Sequence, residues 1–118
     1  MDSELKKNWI EALRSGEYKQ GTGRLRGYSL NDNTEVFCCL GVLCEISNDF
    51  VRTSDGYMCG GFYLKTALTD VQSEKFGLDR TVLQDGERIK LISKLINLND
   101  DEEWNFEQIA RYLEKIKF

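Results

Sequence analysis

The 118-residue chain contains no histidine and no proline. Without histidine there is no Ser-His or Cys-His nucleophile pair, no imidazole zinc ligand, and no side chain whose ordinary pKa lies near neutrality. Without proline, the chain breaks are marked by glycine, asparagine and aspartate alone. Long apolar runs are missing too: the charge-free stretch from Val36 to Cys44 falls far short of the ~18–20 residues a membrane span needs. The first residues, Met1 to Lys7, are charged and helical in pattern, which predicts no secretory leader and no membrane attachment.

Cysteine is present but not in a metal-binding arrangement. Cys38, Cys39, Cys44 and Cys59 lack paired C-x-x-C knuckles and any histidine partner, so neither a metal nor a cofactor is expected. The thiols read as reduced and buried among Leu40, Val42, Leu43 and Ile46. A catalytic thiolate would need an Arg, a Lys or a helix N-terminus beside it to lower its pKa.

Lys and Arg number 16 against 20 Asp and Glu, a net charge of −4. An acidic domain lacks the basic face that supplies most nucleic-acid affinity, so general DNA or RNA binding is not expected. The charge is unevenly spread. Arg14, Lys19, Arg24 and Arg26 face only Glu17 in one segment, whereas Asp100 to Glu103 are four consecutive acids that read as a solvated loop.

Periodicity predicts a helix over residues 4–15, capped by Ser3, with Leu5, Trp9, Ala12 and Leu13 on one face and Gly16 as the stop. Arg24 to Leu30 reads as a strand with Leu25 on one side and Arg24 and Arg26 on the other. Asn31 to Asn33 then turns it back into Glu35–Cys38 as a hairpin. Cys39 to Ser47 is helical in pattern, where Gly41 either weakens the helix or marks a close contact. Asp55-Gly56 is a turn before a ribbon from Tyr57 to Leu64, broken at Gly60-Gly61. Thr69 should cap a short helix carrying Val71 and Phe76. After the Asp85-Gly86 turn, Ile89, Ile92, Leu95 and Ile96 predict a helix from about Glu87 to Asn97. Asn105 and Gln108 form a capping box for a last helix with Phe106, Ile109, Ala110, Leu113 and Ile116 inward. With no repeats and no linker, residues 1–118 should form a single compact α+β domain, a small antiparallel sheet packed with several helices.

The glycine-rich segment from Gly16 to Gly27 is the strongest candidate for chemistry. Glycines let successive N–H groups converge on an anion, and basic side chains add charge-assisted hydrogen bonds. Arg14, Lys19, Gln20, Thr22, Arg24 and Arg26 are the candidate ligand-binding residues, with Tyr18, Tyr28 or Trp9 available to stack on a base. The pattern is neither a Walker loop nor a dinucleotide fingerprint. An ordinary hairpin with solvated cations and a protein-facing surface stay open beside it. Glu45, Asp49, Asp70 and Asp100 are nominal carboxylates for hydrolysis, with no spacing that singles out a pair. Trp104 and Phe106 read as a hydrophobic staple, and Tyr57 to Tyr63 as core and turn or as an aromatic lid.

Three blocks of the sequence belong together. They are Trp9 to Arg26, containing Arg14-Ser-Gly-Glu-Tyr-Lys-Gln-Gly-Thr-Gly-Arg-Leu-Arg26, the run Phe37-Cys-Cys-Leu-Gly-Val-Leu-Cys-Glu-Ile46, and Leu98-Asn-Asp100 followed by Phe106 to Glu114. This combination resembles a widespread family of small proteins of tailed bacteriophages and prophages, and the likeness covers about half of the chain in scattered blocks. Where relatives carry Leu-Pro before the middle helix this chain has Leu68-Thr69, a change that a threonine cap absorbs. The resemblance implies a phage origin and the host cytoplasm, and carries over no catalytic residues. It therefore implies an accessory protein that sequesters a small anionic, nucleotide-like immune signal without catalysis. The alternatives are an inhibitor that docks on a host defence protein through Asp100 to Glu103 and Glu107, and an enzyme that degrades the signal. A homo-oligomer stays open.

Overall fold

A computed structural model describes residues 1–118. Helix α1 (Ser3–Arg14) buries Trp9, Ile10 and Leu13 along one stripe. Its cap is Asp2, whose carboxylate accepts from the Leu5 N–H at 3.1 Å, so Ser3 is the first helical residue and not the predicted cap. An anionic cap gains additionally from the positive end of the helix dipole.

The first sheet joins β1 (Lys19–Gln20), β2 (Arg26–Tyr28) and β3 (Glu35–Phe37) in the order β1-β3-β2. The predicted hairpin is present, with Gly27 opposite Val36, but β1 was not foreseen and runs parallel to β3. Helix α2 (Cys39–Ile46) follows directly, its first turn capped by the Cys38 sulfur, which accepts from the Gly41 N–H. A second sheet, β4 (Val51–Arg52), β5 (Tyr57–Cys59) and β6 (Phe62–Leu64), is an antiparallel meander turned at Gly60-Gly61. The fold class is α+β as expected, with the strands divided among three small sheets.

Helix α3 (Asp70–Lys75) begins at Thr69, whose N–H donates to Oε1 of Gln72 at 3.0 Å. Val71, one of the two apolar residues of the predicted helix, is exposed, whereas Phe76 is buried; Gln72 and Ser73 are buried as well, the capping Gln72 being turned back against the chain.

The largest departure lies in the next segment. Glu87–Lys90 is not helix but strand β8, paired antiparallel with β7 (Thr81–Gln84), so that Gln84 faces Glu87 and Val82 faces Ile89. Asp85 and Gly86 both adopt positive φ, 51° and 81°, the geometry of a tight two-residue hairpin turn. Ile89 fits the helical spacing of Ile92 and Ile96 by coincidence of the two periods. Helix α4 (Leu91–Asp100) starts four residues later than expected, and its first amides are satisfied from outside: Leu91 N–H donates to Arg80 O and Ile92 N–H to Leu78 O.

Helix α5 (Phe106–Glu114) carries the predicted capping box, with Asn105 and Gln108 bonded reciprocally at 2.9 Å. It lies against α1, and these two with α2 and α4 enclose one core of 25 buried residues. Trp9 is wholly buried within it and donates Nε1–H to Cys39 O. No helix is long and apolar enough to cross a membrane.

One contact sets the distance between the first sheet and α2. A Cβ on Gly41 would lie 1.7 Å from the Leu25 carbonyl oxygen, so only glycine allows the helix to seat against the strand. In an exposed helix the change Gly41→Ala would be favourable. Here it should cost at least about 3 kcal/mol, since backbone and not a flexible side chain must move. A urea-unfolding midpoint for Gly41→Ala within error of the parent would contradict this packing.

Candidate functional site

The structure disperses the cations of the glycine segment. Arg14 extends from α1 to α5, where its Nε donates to Glu107 at 2.9 Å and its Nη2 to Glu114. Lys19 reaches Asp32 at 3.0 Å and the Thr34 hydroxyl at 3.1 Å. The Thr34 hydroxyl and Lys19 together hold the Asp32 carboxyl well below its ordinary range.

Arg26 corrects the sequence reading most sharply: it is 3% exposed, not a solvated side chain of the hairpin. Its guanidinium donates to Glu35 at 3.2 Å and to the carbonyls of Thr53 and Gly56. Burying a charge this deeply is tolerable only with such partners. Glu35 also accepts from Arg52, which bonds Glu45 at 3.1 Å, and Glu45 accepts from the Tyr57 hydroxyl at 2.6 Å. Burial and the Glu45 bond push the Tyr57 phenol far up. Tyr18 stands edge-on to Phe37 with ring centroids 5.2 Å apart, and burial followed by the charge of Glu45 raises its phenol too.

What remains open is a smaller feature. Thr22, Arg24 and Tyr28 border a depression of about 240 Å³ floored by Gly21, Gly27 and Val36. Arg24 lies across Gly27, where a Cβ would meet its Cδ at 3.7 Å. It is the one cation of the segment with no carboxylate partner in the chain. Tyr28 is half exposed, and Leu30 beyond it is fully exposed at the hairpin tip.

The other nominal acids have partners of their own: Asp49 pairs with Lys75, Asp70 lies 3.9 Å from Lys90, and Asp100 accepts from Asn99. All four thiols are free and buried. Burial pushes Cys38 up to about 11 and holds Cys39 and Cys44 well above the ordinary thiol value.

The residue that sequence reasoning missed is Asn99, 1% exposed near the end of α4. Its Oδ1 accepts from Gln20 Nε2 at 2.9 Å and from the Cys39 N–H at 3.2 Å. Its Nδ2 donates to Gly21 O at 2.9 Å and to Asp100 at 2.8 Å. Flipping the amide would set donor against donor at two contacts and acceptor against acceptor at the others, which fixes its orientation. Gln20 continues the chain by donating to Trp104 O at 2.7 Å. Gln20, assigned to a ligand, thus belongs to this clamp. A signal was present: Asn99 sits one helical turn beyond Leu95, a polar residue on the inward stripe of α4.

A family described as a domain of unknown function, DUF8296, matches residues 1–59, half of the chain. The chain belongs to this family. No curated protein and no solved structure matches it. The DUF8296 segment runs from α1 through β5 and so contains the glycine segment, the hairpin and the buried Cys38–Cys44 run. It does not contain Asn99, Trp104 or α5, against which its first helix and its glycine segment are held. The DUF8296 segment therefore shares its core with the second half of the chain.

Asn99→Ala strips partners from the Gly21 carbonyl and from the first amide of α2, and should lower stability by about 3 kcal/mol in urea titrations. Asn99→Asp keeps the shape but cannot donate to Gly21, and should lose a comparable amount; parent-like stability in either variant would remove the clamp's importance. The thiols should resist iodoacetamide in the native protein at pH 8 and react in urea. The folded state keeps thiol protons that the unfolded chain releases above about pH 8.5. Stability should therefore fall as pH rises from there toward 11, the value to which Cys38 is pushed. A urea midpoint constant across that window would contradict the burial.

Proposed function

We propose that the protein acts by binding and not by catalysis, sequestering a small anionic ligand of nucleotide type at Thr22, Arg24 and Tyr28. The observation that carries this reading is the unpaired Arg24 guanidinium beside an open depression and a half-exposed tyrosine. A guanidinium free of carboxylates retains its donors for a phosphate, and a phenol ring offers a face to a base. The site is narrower than the sequence suggested, since Arg14, Lys19 and Arg26 are each held by acids of the chain. One phosphate, not a row of them, suits a single free cation. The likeness to tailed-phage proteins supports the setting: an accessory protein in the host cytoplasm that withdraws a nucleotide immune signal.

Docking on a host defence protein is the second reading, favoured by Leu30, fully exposed at the tip of the same hairpin next to Tyr28. Tyrosine is enriched among the residues that anchor protein interfaces, and an exposed apolar neighbour adds area to such an anchor. The acidic run suits this role less well, because Asp100 and Glu107 already serve Asn99, Arg14 and Arg111.

Titration calorimetry against cyclic dinucleotides, cyclic oligonucleotides and ADP-ribose derivatives tests the first reading. Binding should be detected for at least one ligand and weakened roughly tenfold or more by Arg24→Ala, as expected for loss of a charged hydrogen bond. Ligand released on denaturation should be chemically intact. No heat with any of these at micromolar protein would overturn the reading. The docking alternative instead predicts stoichiometric capture of one host protein, lost in Leu30→Asp.

A further inference from the structure

Trp104 stands apart from the other tryptophan. Trp9 is buried and hydrogen-bonded, whereas Trp104 is half-buried and forms a wall shared by two separate cavities. On one side lies the polar cleft containing Gln20 and Asn99, about 210 Å³. On the other, about 200 Å³ is bounded by Trp104, Gln108, Arg111, Tyr112 and Lys115. The residue is held at its backbone, where its N–H donates to Leu98 O and its carbonyl accepts from Gln20, and Tyr112 meets the indole edge-on at 6.3 Å. Its position is therefore set by the protein while open space flanks it.

The chemistry around the second cavity has one sign. Arg111 engages Glu107 through Nε at 3.1 Å, and its terminal amino groups have no partner in the chain. Lys115 has no carboxylate partner. The Glu107 carboxylate is shared with Arg14, which draws its negative charge toward α1. A fixed aromatic face beside two cations with unused donors is the combination that holds a planar ring bearing an adjacent anion.

We infer that the Trp104–Tyr112 cavity of α5 is a second binding site, for the base and phosphate of a nucleoside monophosphate, with Trp104 as the stacking surface and Arg111 and Lys115 on the phosphate. This site is separate from the depression at Arg24 and does not depend on it. It shares none of the residues that border that depression.

Tryptophan emission of the intact chain reads this site directly, because Trp9 is shielded. Adenosine 5′-monophosphate should quench the exposed component saturably, adenosine more weakly, and inorganic phosphate not at all. Replacing the two cations together, Arg111→Gln with Lys115→Gln, should raise the midpoint roughly tenfold, as for loss of a charged contact. Both lie on the solvent face of the helix end, so the fold should persist, and far-ultraviolet circular dichroism checks this. Arg24→Ala should leave the quenching unchanged. Trp104→Phe should abolish it; if that variant does not fold, protection of the accessible emission from iodide by adenosine 5′-monophosphate gives the same readout. Absence of saturable quenching up to about 10 mM nucleotide, well beyond the millimolar affinity that a weak site reaches, would overturn the inference. So would a midpoint left unchanged by the double replacement, or quenching that disappears in Arg24→Ala.

Discussion

The buried amide of Asn99 is the interaction on which most of the molecule's first half depends. It is the only group that touches the end of β1, the glycine segment after it and the first amide of α2 at once. Each of those groups would otherwise be a backbone or amide dipole withdrawn from water, and a buried polar group without a partner costs more than a satisfied one returns. Four contacts converge on one side chain because α4 delivers it, at its last turn, into the gap between the sheet and α2. The helix in turn is placed by the β7–β8 hairpin, whose preceding carbonyls take the first amides of α4. Local turn chemistry at Asp85-Gly86 is thereby connected to the conformation of a loop more than sixty residues earlier in the chain.

A second constraint explains why a segment rich in Arg and Lys yields so little basic surface. Arg26 faces the second sheet, under the turn that precedes β5, and is neutralised there by Glu35. Glu35 is shared with Arg52 and Arg52 with Glu45, so the charges alternate across the junction between β3, α2 and β4. Such alternation lets ions be buried without a net local charge, though it contributes less stability than its bond count suggests. The same arrangement removes Glu45 as a free acid and leaves Arg24 as the cation open to a ligand. Binding through a few exposed groups, with rigid elements behind them, is what these constraints leave available.

The elements readable in the sequence were those specified within a few residues. The capping box at Asn105 and Gln108, the hairpin turn at residues 31–33 and the ribbon broken at Gly60-Gly61 all rest on side chains near in sequence to the structure they dictate. The errors arose where two local signals agreed with both answers. Ile89 suits the apolar stripe of a helix as well as one face of a strand, and only the pairing with Val82 distinguishes them. Strand β1 is two residues long and exists because β3 offers an edge to it, a circumstance no pattern within Lys19–Gln20 records. Arg26 alternates correctly with Leu25 for a half-exposed strand. It is buried because the turn at residues 53–56 closes over the face that alternation would leave wet.

The sequence by itself determined the inventory: no imidazole, thiols in an apolar run, an acidic total concealing a basic segment, and helices and turns whose signals are local. Those properties depend on residue type and short-range spacing, which folding does not alter. The tertiary structure alone decided which charges are spent and which are free. Arg14 meets acids 93 and 100 residues away, Gln20 an amide 79 residues away, and Lys19 an acid 13 residues away across the hairpin. Ion pairing is a matter of a few ångströms in space, to which distance along the chain is no guide, so the candidate site contracted from eight residues to the three that packing left uncovered.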